Sequence, residues 1–420
     1  MITRVEALNF RCLRHVSQTM GRFHVLVGPN ASGKTTFLDV VAFLGRLVSE
    51  GLDAAVGERT QNFQDLLWRR QGETFELAIE LAIPEKLRPS LRDSSCRTVR
   101  YEIALATDPE SREMSFAAER VFLKTDVPEQ ICQRDLFPAS IPPPETLLTP
   151  KRTKTGNQLV LNKVPGGNDN FYSETYPAKG KGWAPAFKLG PRRSALDNLP
   201  EDERQFPVAT WLKSLLSEGI QQIVLNSLLI RRASPPGAGK TLKPDGSNLP
   251  WVVADLEKRH PDRLTEWVAH LNTALPDLEG VRTIERPDDR HRYLMLRYRG
   301  DLEIPSWMAS DGTLRLLALT LPAYLPDFTG IYLIEEPENG IHPRAVETMF
   351  QSLSSVYGAQ LLLATHSPVV LSIVEPRDIL CFAKTDEGAT DIVLGSEHPA
   401  LADWRHETDL GVLFAAGVLG

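Results

Sequence analysis

The sequence predicts an α/β fold: a mixed sheet with helices, joined to an antiparallel β subdomain and a helical insertion. Three observations carry this expectation. A short apolar, β-branched run, Phe23–Val27, leads through a glycine-bearing loop into apolar positions at helical spacing over 36–44. A second apolar run, 330–334, delivers two adjacent acids, Glu335 and Glu336, at its carboxyl end. Between them, 75–83, 98–106 and 117–124 alternate apolar and polar residues with the period of two expected of antiparallel strands.

The totals bound the possibilities. A chain of 420 residues accommodates one large α/β domain with a sizeable insertion, or two domains. It is 42% hydrophobic and 24% charged, the proportions of an ordinary globular protein. No stretch reaches the roughly 18 apolar residues a membrane span needs. The start, Met1-Ile2-Thr3-Arg4-Val5-Glu6, reads as a charged strand and not as a secretory leader. Cys12, Cys96, Cys132 and Cys381 lie far apart with no C-x-x-C pair, which argues against a disulfide framework and a zinc site. Cytoplasm is the expected compartment. A net charge of −7 makes no global case for nucleic-acid binding, so any such case rests on a local patch.

In chain order, residues 1–27 read as strands around 5–10, 14–16 and Phe23–Val27, and the helix after the loop stops at Gly51. From about 138 the character changes. Pro142-Pro143-Pro144, Pro165-Gly166-Gly167 and Lys179-Gly180-Lys181-Gly182 punctuate a loop-rich, basic stretch. Helical periodicity returns over 208–229 and 251–275. The intervening Pro235-Pro236-Gly237-Ala238-Gly239-Lys240-Thr241 imitates a phosphate loop but lacks its first glycine and opens no helix, so it reads as a surface loop. Strands at 281–284 and 293–298, a helix at 314–324 and strands at 360–364, 379–383 and 391–394 follow. The expected divisions are an N-terminal lobe (1–137), a loop-rich basic insertion (138–206), a helical subdomain (207–280) and a C-terminal lobe (281–420).

Gly28-Pro29-Asn30-Ala31-Ser32-Gly33-Lys34-Thr35 fits G-x-x-x-x-G-K-[ST] in the strand–loop–helix context that gives the pattern meaning. Its glycines let backbone N–H groups turn onto a phosphate chain, and the following helix adds its positive end. Lys34 then reaches the β/γ-phosphates and Thr35 holds Mg²⁺. Paired acids at the end of a parallel strand complement this loop: Glu335 orients Mg²⁺, and Glu336 takes a proton from the attacking water. Ser310-Asp311-Gly312-Thr313 precedes a helix, with Ser310 as its N-cap. In a chain already holding one phosphate site, Ser310 and Gly312 are most useful to a nucleotide held by another subunit. His366, after the strand at 360–364, emerges one strand along from Glu336, in reach of a γ-phosphate.

These pieces, in this order, resemble the ABC-type ATPases, specifically the branch containing the RecF, SMC and OLD proteins. Asn9-Phe10-Arg11 looks like that branch's turn before the phosphate loop, and Ser310-Asp311-Gly312-Thr313-Leu314-Arg315 like its signature motif. Glu335-Glu336-Pro337-Glu338-Asn339-Gly340-Ile341-His342-Pro343 resembles its Walker B and D-loop run, and His366 its switch histidine. The resemblance is closest to the OLD-like AAA ATPases, on Asp311, Glu335 and Gly246-Ser247-Asn248-Leu249. It implies a P-loop NTPase fold of the SMC/RecF-head type that hydrolyses ATP with Mg²⁺. Asn30, Ala31, Ser32, Gly33, Lys34, Thr35 and Thr36 then bind nucleotide, and Thr35 and Glu335 support the metal. Glu336 is the general base and His366 the γ-phosphate sensor, while Ser310 and Gly312 contact the opposite subunit's nucleotide. Gln61 or Gln64 is the Q-loop residue; spacing does not choose between them, and Gln64 is carried forward. The family implies a homodimer with ATP sandwiched at two composite sites, or a higher assembly.

Departures narrow the member. The heptad arms of SMC proteins are missing, and the chain after His366 is too short for the TOPRIM domain of OLD nucleases. The expectation is therefore a sensor or regulatory ATPase acting with a nuclease or toxin encoded nearby, in anti-phage defence. The alternative is a RecF-like repair ATPase on gapped or double-stranded DNA. Nucleic acid would meet the stretch 151–193, where Lys151, Arg152, Lys154, Lys163, Lys179, Lys181, Lys188, Arg192 and Arg193 interleave with Phe171, Tyr172, Tyr176, Trp183 and Phe187. A solvated loop is the competing reading of that stretch.

Overall fold

The structure, a computed structural model, describes residues 1–108, 113–125, 134–150, 156–175, 186–401, 410–415 and 417. Strands β1 (Ile2–Phe10) and β2 (Leu13–Thr19) form a hairpin closed by Arg11-Cys12, with left-handed backbone at Arg11 (φ 50°). Buried β3 (Phe23–Val27) feeds α1 (Lys34–Glu50), followed by the short α2 (Leu52–Gly57). Then come β4 (Thr74–Ala82), β5 (Thr98–Thr107), β6 (Met114–Lys124), β7 (Gln158–Lys163), β8 (Asp169–Phe171) and β9 (Ala186–Phe187). Among the described residues these build an eight-stranded antiparallel sheet ordered β2-β1-β4-β5-β6-β7-β8-β9.

The second half begins with α3 (Pro207–Glu218), β10 (Ile220–Ile223) and α4 (Ser227–Ile230), then α5 (Leu249–Arg259) and α6 (Pro261–Ala274). A three-stranded antiparallel sheet, β11 (Leu278–Glu285), β12 (Arg292–Tyr298) and β13 (Leu302–Pro305), leads to α7 (Asp311–Thr320). The chain continues through β14 (Gly330–Glu335), α8 (Pro343–Ser354), β15 (Ala359–Ala364) and α9 (Pro368–Ile373). It then forms β16 (Ile379–Lys384), β17 (Thr390–Leu394) and α10 (Leu410–Ala415), which packs on α9. The core sheet runs β10-β14-β15-β3-β16-β17, parallel except for the edge strand β17.

The core sheet is apolar on both faces because both are covered. Leu26, Leu333, Leu362 and Phe382 pack with α1 and the antiparallel sheet, while Val25, Val27, Ile334 and Leu363 pack with α5 to α9. Helix α1 is thus held between the two sheets. Gln360, fully buried on β15, ties them: its Oε1 accepts from Ile2 N at 2.8 Å, and its Nε2 donates to Ile2 O (2.8 Å) and Gly21 O (2.6 Å). On the far face of the antiparallel sheet, Arg100 is held by Glu6, Glu80 and Glu102 and donates to Leu147 O at 2.9 Å. Segment 146–149 is clamped there by Glu76 and Glu102.

The α/β expectation holds; several element assignments do not. Residues 208–229 are not one helix. Gly219 ends α3, and Ile220–Ile223 then pairs in parallel with β14 as an edge of the core sheet, so a strand of that sheet falls inside the stretch expected to be helical. Residues 251–275 break into two helices at His260-Pro261, because proline cannot continue the hydrogen-bonded ladder. The loop-rich insertion contributes β7, β8 and β9 to the antiparallel sheet. Two fully buried carboxylates also anchor that region. Glu119 accepts from Ser194 Oγ, Ala195 N and Leu196 N, and Glu174 accepts from Val208 N (2.7 Å) and Ala209 N (2.8 Å) at the start of α3. Cys12, Cys96 and Cys381 are free thiols, and Cys132 lies outside the described residues. Among the described residues no helix is long and apolar enough to cross a membrane.

Candidate functional site

The loop between β3 and α1 needs unusual backbone at Gly28 (φ 149°), Ala31 (φ 61°) and Gly33 (φ 109°). At Gly33 a Cβ would lie 2.3 Å from Thr390 Oγ1, so a side chain is barred as well. Helix α1 starts there with no side-chain cap and no acid in its first turn, leaving its positive end for an anion. Asn30, Ala31, Ser32, Gly33, Lys34, Thr35 and Thr36 all line one cavity of about 430 Å³ with Glu335, Glu336 and His366. Ser32, 1% exposed, has a hydroxyl with no hydrogen-bond partner among the described residues. Lys34, 7% exposed, rests its ammonium on Gly28 O (2.8 Å) and Pro29 O (2.9 Å). Burial lowers its pKa to about 8, against the opposing pull of Glu336 and Glu335. An orphaned hydroxyl, a desolvated ammonium and an uncapped helix start together fit a phosphate chain.

Strand β14 carries Glu335 to its end, where Oε2 accepts from Thr35 Oγ1 at 2.6 Å and Oε1 accepts from Gln222 Nε2 at 3.4 Å. Glu336 turns the chain with φ 44°, a conformation that costs a non-glycine residue and is concentrated at functional sites. Its amide donates to Ala364 O at 2.8 Å, and its carboxylate accepts from Asn339. On the neighbouring strand, Thr365 donates to Glu338, as does the backbone N–H of His366 at 3.3 Å. Burial, then the charge of Lys34, lowers the His366 pKa against the opposing pull of Glu336 and Glu338. Hydroxyl and carboxylate oxygens at Thr35 and Glu335 are hard donors of the kind Mg²⁺ takes.

Ser310 and Gly312 are not among the residues lining this cavity. The Ser310 hydroxyl caps α7, accepting from Thr313 N at 3.1 Å, and Asp311 pairs with Arg231. Gly312 has a packing reason to be glycine: a Cβ would meet Gly340 O at 2.5 Å, where α7 crosses the turn after Glu338. Neither Gln61 nor Gln64 lines the cavity; Gln64 sits in the 3-10 turn Phe63–Leu66, whose Leu66 O accepts from Arg11 N. Gln222, by contrast, reaches Glu335 from the strand that sequence periodicity hid. Arg11, Cys12 and Lys384 also line the cavity and went unassigned. Arg11 was visible in Asn9-Phe10-Arg11; nothing in the sequence marks Lys384. Asn248 is fully buried and holds the 239–243 loop through Lys243 N, Gly239 O and Thr241 O.

The basic stretch is partly accounted for otherwise. Lys163, 4% exposed, is buried against Asp169 (3.0 Å) and Gly190 O (2.8 Å); Arg192 pairs with Asp53, and Phe171 is in the core. Lys163 and Phe171 are therefore not presented to a nucleic acid, whereas Arg192 is exposed beside its partner. Lys188, Arg193, Tyr172 and Phe187 are exposed, whereas Lys151, Arg152, Lys154, Tyr176, Lys179, Lys181 and Trp183 lie outside the described residues.

Comparison with known proteins gives both a family and a fold. The family described as "AAA domain, putative AbiEii toxin, Type IV TA system" matches residues 23–372. A solved Smc head bound to the C-winged helix domain of ScpA matches with a TM-score of 0.51 and 14% identity, covering 93% of this chain and 96% of that one. The SMC head domain from Thermotoga maritima matches with a TM-score of 0.43 and 11% identity, over 94% and 98% of the two chains. The fold is that of the SMC-head, ABC-type P-loop ATPases.

Proposed function

The chain belongs to this AAA-domain family, and from that premise we propose that it binds and hydrolyses ATP as a homodimer closed around two nucleotides. The observation that carries the reading is the convergence of Lys34, Thr35, Glu335, Glu336 and His366 on one cavity from three adjacent strands. Lys34 leaves the Gly28 and Pro29 carbonyls for the phosphates, and the orphaned Ser32 hydroxyl donates to them. Thr35 and Glu335 hold Mg²⁺, which when bound neutralises charge on the phosphates. Glu336 accepts the proton of the attacking water, its carboxylate fixed by Asn339. His366 hydrogen-bonds the terminal phosphate region.

Ser310 and Gly312 act on the partner's nucleotide. Trp307 and Met308, just before Ser310 in the chain, are 45% and 69% exposed, which suits a face that a second copy covers. The assignment to the OLD-like branch rests on Asp311, Glu335 and the Asn248 run. A regulatory role toward a nuclease or toxin supplied in trans, in anti-phage defence, draws its support from that resemblance and from the toxin–antitoxin wording of the family description.

Glu336→Gln tests the reading. This variant retains ATP, loses turnover and accumulates ATP-dependent dimers in size-exclusion chromatography with light scattering. Monomers with and without ATP would falsify the shared site. Phage plating on cells carrying the gene and its neighbours, with and without Lys34→Ala, tests the defence role.

A further inference from the structure

We propose that Lys384 binds the nucleotide at its α-phosphate end, from the flank of the cavity opposite the acids. The proposal rests on the nucleotide reading above. In the core sheet, β3 and its phosphate loop lie between β15 and β16. The β15 side brings His366 and, one strand further, Glu335 and Glu336; the β16 side brings Lys384. Both flanks line the same cavity, and Arg11 and Cys12 line it too.

Lys384 is the last residue of β16 and pairs across the ladder with Thr390. Thr390 N donates to Cys12 O at 3.0 Å, and Thr390 Oγ1 donates to Ser32 O at 2.8 Å. The residue opposite Lys384 is therefore bonded to the phosphate loop itself and to the Arg11-Cys12 turn. The hairpin tip beyond is held in turn, since Glu387 takes the Arg14 guanidinium and its carbonyl accepts from Arg69. Lys384 is exposed, and its ammonium has no hydrogen-bond or ion-pair partner among the described residues. Of the other two cations lining the cavity, Lys34 rests on the Gly28 and Pro29 carbonyls and Arg11 is committed to Asp39 at 2.9 Å. An uncommitted cation on a braced strand beside a phosphate loop is placed for an anionic ligand.

Topology says which part of the ligand it meets. Cleavage at the γ-phosphate needs Glu336 and Glu335, so the terminal phosphate lies toward β14 and β15. A triphosphate laid along the loop then extends toward β16, bringing its α-phosphate and nucleoside to Lys384. A cation there acts on a group that ATP and ADP share, whereas a γ-phosphate reader favours ATP alone.

Titration calorimetry of ATP and ADP against the full chain and its Lys384→Ala and Lys384→Arg variants tests this. The expected result is about tenfold weaker binding of both nucleotides by Lys384→Ala, by the same factor, with recovery in Lys384→Arg. Two outcomes overturn the assignment: unchanged ADP affinity, or a loss confined to ATP. A wild-type chain that binds neither nucleotide overturns the nucleotide reading beneath it, which separates the two failures.

Discussion

The Thr35 hydroxyl donates a 2.6 Å hydrogen bond to Glu335 Oε2, joining the first turn of α1 to the end of β14 across some 300 residues of sequence. One of those oxygens belongs to a hydroxyl and the other to a carboxyl group, and both are suited to the same divalent cation. Glu335→Gln keeps the shape and an acceptor while removing the charge. ATPase activity of this variant should fall by about two orders of magnitude, with the Mg²⁺ midpoint moved upward by about tenfold. A magnesium titration of steady-state turnover checks it, and an unmoved midpoint would remove Glu335 from the metal site.

Lys34 gives a pH test with a definite sign. Burial lowers its pKa from 10.5 to about 8, so the free protein carries this charge below pH 8 and loses it above. ATP binds the charged form. Affinity should therefore be level from pH 7 to about 8 and then weaken by about tenfold per unit. Fluorescent-nucleotide titrations at pH 7, 8 and 9 read this directly; a flat profile contradicts it.

Gly312→Ala separates packing from chemistry. The new methyl would start 2.5 Å from Gly340 O, so α7 and the turn after Glu338 must part. The expected cost is about 1–3 kcal/mol, the usual price of overpacking. Binding of ATP by the monomer should persist, because Gly312 does not line the cavity, while ATP-driven dimerisation is lost. Chemical denaturation and light scattering on one preparation test both halves.

How much of this was legible follows from how each residue reaches the site. Gly28 to Thr36 and Glu335-Glu336 are contiguous motifs whose chemistry is written locally, and the strands around them are strongly apolar. Gln222 was hidden because Ile220–Ile223 is a four-residue edge strand between two helices, too short for period two to compete with period 3.6. Lys384 and Thr390 acquire meaning only through the strand order β15-β3-β16-β17, which no local pattern encodes. The sequence suggests a role for Gly312 toward another subunit's nucleotide, but it cannot show the packing reason for glycine there, a backbone carbonyl almost thirty residues away. Lys163 read as a cation for nucleic acid because sequence cannot show that Asp169, six residues on, folds back to bury it.

Glu174 predicts a second pH effect, on stability. Burial raises its pKa from 4.5 to about 7, against the N–H groups of Val208 and Ala209, which favour the ionised form. The folded value lies above the unfolded one, so its contribution is full below pH 4.5 and is lost as pH rises through 7. The loss amounts to about 3 kcal/mol by the usual conversion of shift to free energy. Glu174→Gln does not titrate and should lack this component. Urea midpoints at pH 5 and pH 8 should diverge less in the variant than in the parent; equal divergence would exclude Glu174 as the cause.

The buried amide of Gln360 has a mechanical corollary. It grips Ile2 and Gly21 from the start of β15, while the far end of that strand leads into Thr365 and His366. Two of its hydrogen bonds reach Ile2 on β1 of the opposite sheet and the third reaches Gly21 in the turn before β3. Two rims of the cavity, His366 beyond β15 and the Arg11-Cys12 turn at the far end of β1, therefore share one internal anchor.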